Sequence, residues 1–246
     1  MKTLLLVFSL LLVANSALAD ALGVRVSGGM WSYEPTGDIR NSADVNDNFS
    51  LKNDLGMKDD DVFQGFLYFE HPVPIIPNVR LGITDLKLSG NGTTTASKDW
   101  DTTTIPAGNV VSNVDLSHTD VGLYYEIWDT GFDFDLGVNL KIFDGTISIS
   151  DGGLNTASDT FNETIPMLYG HVGIPLLAGF SIAGDISYIS YDGDTVSDTL
   201  LRVRWVSDFM LGVELGYRGL AIDYTDGNKF ADVKIKGPYL QASLNF

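Results

Sequence analysis

The chain has 246 residues, 32 of them acidic against 15 basic, giving a formal net charge of −17, and it contains no cysteine. That charge argues against nucleic acid as a partner, since phosphate recognition needs a basic face, and the missing thiols exclude disulfides, thiol nucleophiles and thiolate metal sites. Downstream of Asp20 nothing approaches the ~18 consecutive apolar residues of a spanning helix, so a membrane crossing here must use strands in a closed barrel.

In chain order, the first segment is "MKTLLLVFSLLLVANSALAD". Lys2 supplies a positive n-region, Leu4 to Val13 an apolar h-region, and Ala17-Leu18-Ala19 a small-residue cleavage pattern before Asp20. The expectation is a signal peptide at 1–19 and a mature domain at 20–246.

Period-two alternation then marks strands at roughly 22–34, 62–71, 79–89, 114–128, 132–149, 163–175, 179–190, 197–206, 209–223 and 232–246. The connections alternate in length. Short turns stand at 72–78, 129–131, 176–179 and 207–208; longer stretches rich in Asp, Asn, Gly, Ser and Thr stand around 35–61, 90–113, 150–162, 191–196 and 224–231. A soluble sandwich shares the periodicity but has no reason to segregate its loops, whereas an up-and-down transmembrane antiparallel β-barrel of about ten strands does.

The strand faces agree. In "FDFDLGVNLKIF" (132–143), Phe132, Phe134, Leu136, Val138, Leu140 and Ile142 share one face, and Asp133, Asp135, Gly137, Asn139 and Lys141 share the other. Charges of both signs also oppose apolar rows in the strands holding Glu126, Arg202, Arg204, Glu214 and Arg218. An apolar row facing lipid accounts for both sides. Tyr125, Trp128, Trp205 and Tyr217 fit interfacial girdles. The last segment, "GPYLQASLNF", puts Pro238, Leu240, Ala242, Leu244 and Phe246 on one face; it resembles the closing strand of bacterial outer-membrane proteins, which the barrel-assembly machinery reads.

The stretches "DVFQGFLYFEHPVPIIPNVRLGITDLKLSG", "VDLSHTDVGLYYEIWD", "LKIFDGTISI", "IPMLYGHVGIPL", "YISYDGD" and "KGPYLQASLNF" resemble a family of small single-chain outer-membrane β-barrel proteins of Gram-negative bacteria. The resemblance implies a barrel in the cell outer membrane, reached through the periplasm. It implies no reaction, since that family is described by its barrel.

Candidate chemistry is sparse. His118 and Asp120 in "DLSHTD" share the inward face near the outer end of the fourth strand, where omptin-type barrels carry a His–Asp pair that activates water; the alternative is a lumenal hydrogen-bond network, which is the expectation here. His171 projects inward and His71 begins a turn. The acidic groups Asp44, Asp47, Asp54, Asp59, Asp60 and Asp61 read as solvated loop. A hand-type calcium loop needs Gly and Glu where "DVNDNFSLKNDL" has Phe49 and Leu55. No phosphate loop, zinc signature or nucleophile elbow is found.

The remaining information is the lumen. A charge network is expected among Asp120, Glu126, Asp133, Asp135, Lys141, Arg202, Arg204, Glu214 and Arg218, for instance Glu126 with Lys141 and Arg204 with Glu214. Small barrels fill their interior with side chains. The expected protein is therefore a monomeric, non-enzymatic outer-membrane barrel with a filled lumen and acidic outer loops, in a structural or surface-interaction role. It has no cofactor, and its partners are outer-membrane lipid, lipopolysaccharide and the assembly machinery. The alternatives are a narrow pore for small solutes and an omptin-like rim hydrolase.

Overall fold

The computed structural model of the chain describes residues 22–73 and 75–246; the expected leader at 1–19 and the cleavage position before Asp20 lie outside them. Alternating side chains make the described residues a run of strands: β1 Gly23–Asn41, β2 Asp60–Glu70, β3 in two pieces (Asn78–Thr84 and Lys87–Thr94), β4 in two pieces (Gly108–Asp115 and His118–Trp128), β5 Asp133–Ser150, β6 Thr156–Pro175, β7 Phe180–Tyr191, β8 Asp194–Val206, β9 Leu211–Asp226 and β10 Lys229–Asn245. Each pairs antiparallel with its chain neighbour, and β10 pairs back onto β1 from Arg25↔Asn245 to Asn41↔Lys229. The result is a closed ten-stranded antiparallel barrel. Phe246 completes the seam, exchanging backbone bonds of 3.1 and 2.8 Å with Val24. Among the described residues no helix is long and apolar enough to cross a membrane.

The short turns gather at one end. At the other, strands run on where loops were expected: β6 begins at Thr156, and β7 and β8 are joined by residues 192–193 alone. Asp192 (φ 52°) and Gly193 (φ 97°) take the left-handed conformations that a two-residue hairpin turn requires. The expected loops around 150–162, 191–196 and 224–231 are thus mostly strand. They read as loops because their outward residues are Asp, Ser, Thr and Asn.

The wall has two polarity regimes. Along β5, Leu136, Val138 and Leu140 face outward and exposed while Asp135, Asn139 and Lys141 are buried inside; past Phe143, Ile149 is buried inside while Asp144 and Thr146 face outward. Strand β10 repeats this about Gly237: Tyr239, Gln241 and Ser243 are inside with Pro238, Leu240 and Ala242 outside, then Ile235 and Val233 inside with Lys236 and Lys234 outside. The apolar belt covers Phe134 to Ile142 on β5, roughly 20 to 25 Å tall for a tilted strand. Trp128, Phe180 and Trp205 rim it on the short-turn side, and Tyr188 and Tyr217 on the other; all are exposed.

Beyond the belt the barrel encloses an ordinary apolar core. Residues between β1 and β2 fold inward, burying Phe49, Leu51, Leu55 and Met57 against Leu88, Trp100, Ile105, Ile149 and Ile235. A hairpin of Lys98–Trp100 and Thr103–Ile105 supports them. Phe49 and Trp100 meet edge to face at 6.1 Å, and Lys98 Nζ reaches Asp54 at 2.7 Å and the Asn48 carbonyl. Not all of the acidic groups in 44–61 are solvated, then: Asp54 is ion-paired, and Asp47 is buried, accepting from Ser42 Oγ at 2.6 Å. In the turn 151–155, Asn155 Nδ2 donates to Asp151 at 2.6 Å and Gly153 N at 2.7 Å, which holds that carboxyl below its usual range.

Candidate functional site

Inside the belt, even-numbered residues of β8 and β9 and odd-numbered residues of β5 point to the axis, and their long side chains meet there. Arg218 is the hub, with none of its side chain exposed. Its Nε and Nη2 bind Asp198 Oδ1 and Oδ2 at 3.0 and 2.6 Å; Nη1 donates to Gln64 Oε1 at 3.0 Å and Thr84 Oγ1 at 2.9 Å; Nη2 also reaches His118 Nε2 at 3.1 Å. All five guanidinium N–H groups thus have an acceptor. The cation also lies 4.7 Å from the Trp31 ring centroid.

Lys141 bridges two carboxylates, Asp120 at 2.9 Å and Asp198 at 2.8 Å. Asn139 Nδ2 donates to Asp120 at 2.7 Å. The network continues from Gln64 through Gln241 to Glu214 (3.3 and 2.8 Å), then to Arg202 and on to Asp185, which also accepts from Tyr169 at 2.8 Å and His171 at 2.9 Å. Room for the rings is made by glycine. Gly216 stands opposite Tyr239 on the neighbouring strand, where a Cβ would sit 2.5 Å from the ring.

Of the residues expected in the lumenal network, Asp120, Lys141, Arg202, Glu214 and Arg218 come together in it. Glu126, Asp133, Asp135 and Arg204 do not: they line a cavity of about 310 Å³ at the short-turn end. Neither expected pair forms. Glu126 stands opposite Asp135, and the unbroken register above that pair puts Lys141 six residues further up the strand, beside Asp120. Arg204 is opposite Glu214, but Glu214 turns to Arg202 Nε at 3.5 Å and to Gln241. Charge alone missed Asp198, whose parity with Arg202 on β8 was the available signal, and the uncharged members Gln64, Thr84, Asn139 and Gln241, of which Asn139 shares the face of Lys141 by alternation.

The His118–Asp120 pair is present but sealed. His118 Nδ1 donates to the Leu116 carbonyl at 2.8 Å, Nε2 accepts from Arg218, and Asp120 Oδ2 is 3.9 Å away. His118, Asp120 and Asp198 could bring ligand atoms within 4.8 Å of one another. Lys141 and Arg218 already occupy those carboxylates, supplying the positive charge a metal would bring. His71 clamps its own turn, taking the Val73 N–H at 3.2 Å.

No protein-family model matches the chain, and no curated protein does. Among solved structures it is similar to the transport unit of the autotransporter AIDA-I from Escherichia coli, with a TM-score of 0.38, 10% identity, and coverage of 92% of this chain and 89% of the other. It is also similar to Neisserial surface protein A (TM-score 0.31, 9% identity, 92% and 97% covered) and to the Pseudomonas putida toluene transporter TodX (0.33, 8%, 92% and 89%). At that level of likeness the barrel stands on the chain's own strand pairing, and nothing about ligand or activity follows.

Proposed function

We propose that this chain is an exported, monomeric outer-membrane barrel that is closed at mid-height and serves a structural or surface-interaction role. The observation that carries the reading is the change of polarity along each wall. An apolar outer belt with a hydrogen-bonded charged interior suits lipid outside, and the polar wall with an apolar core beyond it suits water outside. In this reading the leader at 1–19 directs export, the short turns face the periplasm, and the polar-walled end with the apolar core it encloses, here called the cap, projects from the cell surface. Outer-membrane lipid and lipopolysaccharide surround the belt, and the assembly machinery reads the closing strand.

Two further observations support a closed, non-catalytic barrel. Arg218, Lys141, Trp31 and Tyr124 are all buried across the interior, with the cap core above them. Both ring nitrogens of His118 are committed to protein partners, so the His118–Asp120 pair offers no free base to water. The test is electrical. Purified barrel in a planar bilayer is expected to give no stable conductance steps; reproducible single-channel openings would replace this reading with the narrow pore.

A further inference from the structure

The cavity at the short-turn end takes no part in closing the barrel, and its charges are unusual. Its lining includes Arg25 and Arg204 together with Glu70, Glu126, Asp133 and Asp135. Among the described residues none of these six forms an ion pair, although both signs line one space of about 310 Å³. The signs are segregated: the arginines stand on β1 and β8, the carboxylates on β2, β4 and β5. Arg25 rests on the Tyr68 ring at 3.8 Å rather than on an anion.

Asp135 is the sharpest feature. It is only 7% exposed, lines the cavity, and has no hydrogen-bond donor among the described residues. It stands directly opposite Glu126 on β4, so two like charges face each other where pairing is unfavourable. On its other side His171, its neighbour on β6, is committed to Asp185. A buried carboxylate beside a second one, in a lining whose arginines stand on β1 and β8 and pair with neither, is a place for a cation from solution.

We infer that this vestibule binds a small basic amino acid of the lysine or arginine type, its side-chain cation at Asp135 and Glu126 and its carboxylate at Arg204 and Arg25. Carboxylates outnumber arginines in the lining, which suits a ligand with more positive than negative ends. The volume is at the low end for small-molecule pockets and suits an amino acid. The site faces away from the cap and is independent of whether the barrel conducts.

Trp128 also lines the cavity and provides the readout. Full-length barrel in detergent micelles, titrated with L-lysine or L-arginine, should show a saturable fluorescence change that disappears in Trp128→Phe. Asp135→Asn should weaken lysine at least tenfold, and Glu126→Gln serves if that variant fails to show the mobility shift of a folded barrel. Arg204→Gln should weaken lysine while leaving cadaverine, which has no carboxylate, unchanged. Absence of saturable binding, equal affinity in both carboxylate variants, or cadaverine binding wild type as tightly as lysine would overturn the inference.

Discussion

Arg218 and Asp198 meet through two parallel bonds, Nε to Oδ1 at 3.0 Å and Nη2 to Oδ2 at 2.6 Å, in a barrel interior that leaves both residues almost wholly buried. Removing one member strands a charge away from water. Arg218→Met is expected to destabilise the barrel by about 3–5 kcal/mol, and Arg218→Met with Asp198→Leu by less than the sum of the two single changes. Urea unfolding in lipid vesicles checks this. Arg202, whose Nη2 has no hydrogen-bond partner among the described residues, should be the more tolerant arginine.

The belt makes a prediction about depth. Val138 is 48% exposed at the middle of the apolar row on β5, so Val138→Arg should cost about 2–4 kcal/mol and lower the folded yield. Asp133→Arg, exposed at the vestibule rim, should fold normally. Asn139 is no neutral control, because it is fully buried against Asp120 and an arginine has no space there.

The cap should be separable from the belt. Trp100→Ala removes the ring that meets Phe49 and is expected to cost about 3–5 kcal/mol within the cap. Protease added to intact cells should then cut within residues 42–59, while the belt keeps the electrophoretic mobility of a folded barrel. Loss of that mobility would mean that cap and belt unfold as one unit.

His118 separates network from enzyme. His118→Ala removes an acceptor from Arg218 and a donor from the Leu116 carbonyl, so it should lower stability by about 1–3 kcal/mol. Peptidase and lipase assays should give the same background for wild type and variant. A hydrolytic activity lost in the variant at unchanged stability would restore the rim-hydrolase reading.

Strand order and face were legible because alternation is local: "FDFDLGVNLKIF" names its outward row without any partner strand. Strand ends beyond the belt were not. Past Phe143 the same alternation continues with apolar and polar residues exchanged; β5 still reads as strand to residue 149, but on β6 the stretch with Thr156, Ser158, Thr160 and Asn162 outside looks like loop composition. The exchange itself is visible in the sequence. Partner choice in the lumen was hidden for another reason: it depends on side chains reaching across the axis, as Lys141 on β5 does to Asp198 on β8. Residues 42–59 read as solvated loop because Asp44, Asp47, Asp54 and Asp59 stand among Phe49, Leu51, Leu55 and Met57, the side chains whose burial places the segment.

The exchange of polarity at Phe143 and Gly237 also bears on how neighbouring strands find their alignment. A slip by one residue is penalised because it turns every side chain to the wrong face. A slip by two keeps inside and outside correct, and simple alternation cannot detect it. Here such a slip would carry Asp144 on β5 or Lys236 on β10 down into the apolar belt and lift an apolar belt residue out of it. The switch point therefore works as an axial landmark cut into each strand, and lining up these marks around the circumference selects one shear among those that alternation alone would allow.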